Sequence, residues 1–105
     1  MLTGTNEHVS GNNTFFNLSK TVTTADTLTF QAGSTQTVAG TLTLEGTAGK
    51  LLALRSSKPG TAWDLDPLSA ALLSFVDVQD GDDIGKMIAA SHSHNSGHNV
   101  GWKFV

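Results

Sequence analysis

The strongest constraint on this chain is a rhythm of very short alternating segments, each closed by a glycine turn. Thr27-Leu28-Thr29-Phe30 and Thr41-Leu42-Thr43-Leu44 alternate a β-branched polar residue with an apolar one, and Thr35-Gln36-Thr37-Val38 is a weaker copy. Such period-two alternation suits a pleated, half-buried strand and does not suit a helix. Ala32-Gly33-Ser34, Ala39-Gly40, Glu45-Gly46 and Ala48-Gly49 bound these segments, and glycine turns of this kind stop a strand after a few residues. Leu51–Leu54, Ala62–Leu65, Leu72–Val78, Lys86–Ala90 and Gly101–Val105 continue the series. The class is all-β. One stretch is open to two readings: Asp66-Pro67-Leu68-Ser69-Ala70-Ala71-Leu72-Leu73 has a capping residue, a proline and then helix formers. It reads as a short helix or as a loop feeding the next strand.

Short strands between small polar turns fit a sandwich or jelly-roll, a barrel, or a solenoid. Hairpin folds favour Asn-Gly or Asp-Gly turns between long strands, and only Asp80-Gly81 has that form. Apolar bursts separated by Ala-Gly, Gly-Ser and Gly-Thr favour a short β-solenoid, with β-sandwich or jelly-roll as the alternative. Ser10-Gly11-Asn12-Asn13-Thr14-Phe15 is echoed by Ser96-Gly97-His98-Asn99-Val100-Gly101-Trp102. In both, a Ser-Gly-x-Asn turn delivers the chain to an aromatic. The expected organisation is an N-terminal arm over residues 1–10 and a single domain over 11–105, since 105 residues make one core. Leu42, Leu44, Leu52, Leu54, Phe75, Val76 and Val78 are the expected inward set.

Composition excludes several classes. With no cysteine there is no disulfide framework, zinc-cysteine site or thiol nucleophile. A net charge of -3, with Lys20, Lys50, Arg55, Lys58, Lys86 and Lys103 scattered, argues against a partner held by phosphate neutralisation, so no nucleic acid is expected. No apolar run approaches the roughly 18 residues of a membrane span, so no membrane partner is expected. The opening Met1–Glu7 lacks the basic and apolar regions of a secretory signal, which predicts a protein made in the cytoplasm.

GNNTFFNL (Gly11–Leu18), TLTFQAGSTQTVAGTLTLEGTAGKLLALRSSKPGTAWDL (Thr27–Leu65), SFVDVQD (Ser74–Asp80) and SGHNVGWKF (Ser96–Phe104) together span nearly everything after residue 10. These segments resemble repeats of right-handed parallel β-helix (β-solenoid) surface proteins of bacteria and phages. The chain departs from that pattern at His94 and His98, where acidic or amide residues are more usual. The resemblance implies a right-handed parallel β-helix acting as scaffold or stalk, with no catalytic motif.

Three constellations bear on chemistry. His92-x-His94 on one strand would point both imidazoles to one face, and three symmetry copies would supply a transition-ion site. Asp77-x-x-Asp80-Gly81-Asp82-Asp83 offers hard oxygen ligands for Ca²⁺ on a turn, without EF-hand spacing. Against both stands a polar loop and a solvated turn, and the expectation is no cofactor, with Ca²⁺ or a transition ion at His92, His94, Asp77 and Asp80 as the alternative. Asp64-x-Asp66 with Arg55 has the makings of a glycosidase acid pair. Asp66 precedes a proline and is expected to begin a turn, and so short a chain builds no sugar-sized groove. Neither a P-loop nor a GxGxxG pattern occurs, and no enzyme is expected. Trp63 and Trp102 are candidate interface anchors or sugar-stacking platforms, with the core as their other home. Lys58-Pro59-Gly60 predicts a type II turn.

A small solenoid leaves its coil ends and strand edges uncovered. The expected function is a non-enzymatic structural one: a phage virion component such as a capsid decoration (cement) protein, working as a homotrimer. Its partners would be further copies and the major capsid protein, and its location the virion, assembled in the host cytoplasm. Two alternatives are a carbohydrate-binding or adhesin module at the bacterial surface and a metal-tipped spike domain.

Overall fold

A computed structural model describes residues 4–105, which form strands and turns with no helix among them. The strands fall into successive passages, each termed a coil. The first holds β1 (Glu7–Val9), β2 (Asn13–Phe15) and β3 (Leu18–Thr21). The second holds β4 (Asp26–Phe30), β5 (Thr35–Val38) and β6 (Leu42–Glu45), and the third β7 (Leu52–Ser56), β8 (Trp63–Pro67) and β9 (Ala71–Ser74). The fourth holds β10 (Val76–Gln79), β11 (Gly81–Asp83) and β12 (Ile88–Ser91). In the last, β13 (His94–Gly97) and β14 (Trp102–Phe104) flank Val100, which bridges to Asp82.

Each strand pairs in parallel with its counterpart in the next coil. Sheet A runs β1-β4-β7-β10-β13, sheet B β2-β5-β8-β11 and sheet C β3-β6-β9-β12-β14. The Asp80-Gly81 step is therefore a corner between β10 and β11, not a hairpin. Residues 1–10, the expected arm, include β1, whose Val9 lies beside Phe30. The Ser-Gly-x-Asn echo falls on the passage from sheet A to sheet B in the first and last coils but out of register: Asn13 already lies in β2 beside Gln36, whereas Ser96 and Gly97 still belong to β13 and Asn99 precedes the Val100 bridge.

Alternation explains the core. In β7 and β8 every second residue is buried, so Leu52, Leu54, Trp63, Leu65 and Pro67 point inward. Register then stacks like on like from coil to coil. Leu28 lies beside Leu54 and Leu54 beside Val78; Ala71 lies beside Ile88 and Ile88 beside Trp102. Gly81 makes room at the centre, where a Cβ would come within 3.1 Å of Trp63, Trp102 and Val78.

Corners turn on residues that accept positive φ. Gly60 (φ 91°) follows Pro59, and Thr61 N–H donates to the Lys58 carbonyl at 3.0 Å, the expected type II turn. One expectation is corrected at such a point, and one open reading is resolved in favour of the loop. Phe75 has φ 54° and divides the Leu72–Val78 run into β9 and β10; it is half-buried at the corner, not in the core. The stretch after Asp66 is no helix: β8 runs through Pro67 and Leu68–Ala70 form a loop. Pro67 lacks an N–H, and Leu68 N–H makes the coil-to-coil bond to the Val38 carbonyl at 2.9 Å.

Candidate functional site

The histidine pair does not form as its spacing suggests. β12 ends at Ser91 and β13 begins at His94, with His92 at φ 50° in the corner between them. Period-two geometry needs extended backbone on both sides, so the two imidazoles do not share a strand face. The His92 ring stacks on Phe75 at 5.0 Å, and His94 stands opposite Asp77 in register.

The aspartates are also separated. Asp77 points outward from β10, where its Oδ2 pairs with Arg55 Nη2 at 3.0 Å and its Oδ1 accepts the Ser96 hydroxyl. Arg55 Nη1 donates to the Asp77 carbonyl at 2.6 Å, so this set ties β7, β10 and β13 together. Asp80 is buried in the next corner at φ 60°. Its Oδ2 accepts Gly60 N–H at 3.0 Å, and its Oδ1 lies 3.2 Å from His98 Nδ1. Among the described residues no three His, Asp or Glu side chains gather as metal ligands.

Sheet B carries the densest charge. Asp64 and Asp66 project from the outer face of β8, and Asp82 of β11 lies directly opposite Asp64. Asp66 is a strand residue and not the start of a turn, while Arg55 belongs to sheet A and is engaged with Asp77. None of the four ion pairs among the described residues involves Asp64, Asp66 or Asp82. Asp83 accepts N–H bonds from Gly85 at 3.0 Å and Ile88 at 3.2 Å. Burial raises its carboxyl above the usual range, and the charges of Asp66 and Asp82 add to that rise against those two bonds.

Both tryptophans serve the interior. Trp63 has no exposed surface: it stacks on Phe30 at 4.1 Å, meets Trp102 edge-on at 6.2 Å, and donates Nε1–H to the Gln79 carbonyl at 3.1 Å. It therefore offers no face to a sugar or a neighbouring protein. Trp102 is half-buried and stacks on Phe104 at 6.4 Å.

A buried ion cluster at the first coil matches no spacing motif. Lys20 Nζ lies 2.6 Å from Glu7 Oε1 and 3.1 Å from Asp26 Oδ2, and donates to the Gly4 carbonyl at 2.7 Å. The signal was available, because Leu18-Ser19-Lys20 places Lys20 on the same inward face as Leu18. Burial pulls the Lys20 ammonium down, but Glu7 and Asp26 outweigh it and the net shift is upward. Burial likewise pushes Asp26 up, and N–H bonds from Asn6 and Thr27 together with Lys20 reverse this, leaving it below its ordinary value.

No protein-family model, no curated protein and no solved structure matches the chain.

Proposed function

We propose that the chain is a short right-handed parallel β-solenoid with a structural, non-enzymatic role, working as a homotrimer in a phage virion, as a capsid decoration protein does. One observation carries this reading: every ladder between named strands is parallel and joins one coil to the next, so that among the described residues each sheet ends at both sides on a strand with no further named strand beyond it. Uncovered edges template further pairing unless something hides them, and symmetric assembly hides them at little cost in chain length. The function is then burial itself. Each copy covers edges and faces on its neighbours and adds interface stability to a shell.

Light scattering of the purified chain at micromolar concentration tests the assembly. A particle of three chains is expected, and a fully folded 11.0 kDa monomer would overturn it. Mass spectrometry of purified particles from the phage that encodes the chain tests the location. The chain should be present in every particle at a fixed ratio to the capsid protein, and its absence from them would remove the virion assignment.

A further inference from the structure

Seven large apolar residues are exposed among the described residues; Val100 and Val105 stand in the last coil, and four of the others share one corner. Phe16 follows β2, Leu68 follows β8, and Ile84 and Met87 lie between β11 and β12. All four occupy the corner where the chain passes from sheet B to sheet C, and exposed Ala39 holds that place in the second coil. Backbone bonds set these corners side by side: Ala39 N–H donates to the Phe15 carbonyl, Leu68 N–H to Val38 and Lys86 N–H to Pro67. Lys86 therefore stands beside Leu68 in the fourth coil, with Ile84 beside Asp66 on one side of it and Met87 on the other. Leu72, 67% exposed on the outer face of sheet C, widens the strip and lies beside Ala89. The result is an apolar ridge along four coils, with Lys86 set into it at the fourth. Single exposed apolar residues need no explanation, but a contiguous strip with polar flanks marks a contact surface.

The flanks identify the occupant. On the sheet B side the ridge is bordered by the outward carboxylates Asp64, Asp66 and Asp82, which have no ion-pair partner within the described chain. On the other side exposed Lys103 follows Ala89 in the Leu72 column of sheet C, and Lys86 sits in the corner itself. Neither lysine has an ion-pair partner among the described residues. Rotating a copy about an axis parallel to the coils sets the sheet B flank of one chain against the sheet C flank of the next. Acid then meets lysine. Turning the copy end over end sets acid against acid, which charge complementarity disfavours.

We infer that the B–C corner is the self-association seam of this protein, joining copies with parallel coil axes, acidic sheet B flank against the lysines of the neighbour. The seam rests on the homo-oligomer proposed above and gives it a lateral surface and a polarity; the strand edges at the two ends of the coil stack lie outside the seam. A heterologous contact of this kind closes into a ring when the rotation divides the circle, as in a trimer.

Sedimentation velocity of the full chain over a concentration series tests it, with circular dichroism on each variant. Leu68→Asp and Met87→Glu lie in corners outside the strands, and each should weaken association by about tenfold or more with an unchanged spectrum. A wild-type chain that is itself monomeric would overturn both the oligomer and the seam. A wild-type oligomer that both variants leave intact would overturn the seam alone. For polarity, Lys86→Glu with Lys103→Glu should weaken assembly, and adding Asp64→Lys with Asp82→Lys to the same chain should restore it. Failure to restore would overturn the parallel arrangement. So would tighter association when the wild type is mixed with the Asp64→Lys, Asp82→Lys chain, because only opposed acidic flanks gain from that mixture.

Discussion

Leu44 and Phe75 both belong to apolar runs, yet only Leu44 is fully buried. Leu44→Ala should cost about 2–5 kcal/mol, the range for a leucine removed from a close-packed interior. Phe75 sits in left-handed backbone, which costs an L-residue about 1–2 kcal/mol and which asparagine tolerates. Phe75→Asn gives up the stack on His92 and relieves that strain, so its net effect should stay within about 1 kcal/mol. Urea denaturation of both variants checks the contrast, and equal losses would return Phe75 to the core. The Lys20 cluster makes a second prediction at this scale. Asp26 has a lowered folded pKa, so its stabilisation is complete above the unfolded value of about 4 and lost as pH falls through the lower folded one. Lys20 has a raised folded pKa, so its share is complete below about 10.5 and lost as pH rises through the higher folded value. Lys20→Met strands Glu7 and Asp26 and should cost on the order of 3 kcal/mol at neutral pH. The deficit should narrow in acid as Asp26 protonates. Melting curves across pH measure this, and a deficit unchanged in acid would remove the ion cluster as its cause.

Elements follow their neighbours in the ladder more than their own local signals. Asp66, Pro67 and the Leu/Ala run after them have the local chemistry of a helix start, but β8 already lies against β5, with Thr37 beside Asp66 and Val38 beside Pro67. A coil-to-coil ladder outweighs a propensity difference of a few tenths of a kcal/mol per residue. β8 and β11 also put Asp64 directly opposite Asp82, a like-charge pair that destabilises a sheet. At low salt and below the concentration at which copies associate, Asp82→Asn should stabilise the fold by about 0.2–1 kcal/mol. The gain should fade at molar salt, where screening acts within about 3 Å. Thermal melts at two ionic strengths decide it, and destabilisation by Asp82→Asn would mean that this carboxylate has a partner in the fold. The Leu72–Val78 run shows what an element owes to its corner: without the positive φ of Phe75 it would be one strand, and β9 and β10 could not belong to different sheets.

The two ends of the molecule differ. At the first coil Val9 and Phe15 are half-buried, but the Lys20 cluster ties β1, β3 and β4 together, and the amide of buried Gln36 in the second coil bonds the Gly11 carbonyl at 2.7 Å and the Ser34 hydroxyl at 3.1 Å. At the last coil Trp102 and Phe104 are only half-buried, and Asn95 is exposed beside Val78. In a stack of coils each contacts only its neighbours, so an end coil lacking a seal opens first. Hydrogen exchange followed by mass spectrometry should therefore show β13 and β14 exchanging ahead of β7 and β8, with β1 to β3 between them. Earlier exchange at β1 to β3 than at β13 and β14 would show that the ion cluster does not hold its end.

By itself the sequence determined the strand class and most strand positions, because period-two alternation is local and a Thr-Leu-Thr-Leu run has one sensible way to bury half its side chains. It also determined the Pro59-Gly60 turn, whose geometry those two residues impose. The inward turn of Lys20 was equally legible, since Leu18 sets the phase of β3. Tertiary structure alone decided where an unbroken apolar run bends, since Phe75 carries no turn signal and adopts positive φ only because neighbouring coils hold both flanking strands. It alone separated His92 from His94 and Asp77 from Asp80, which residue spacing placed together. And it alone aligned Phe16, Leu68, Ile84 and Met87, which lie far apart along the chain and meet at one corner because parallel pairing returns every coil to the same path.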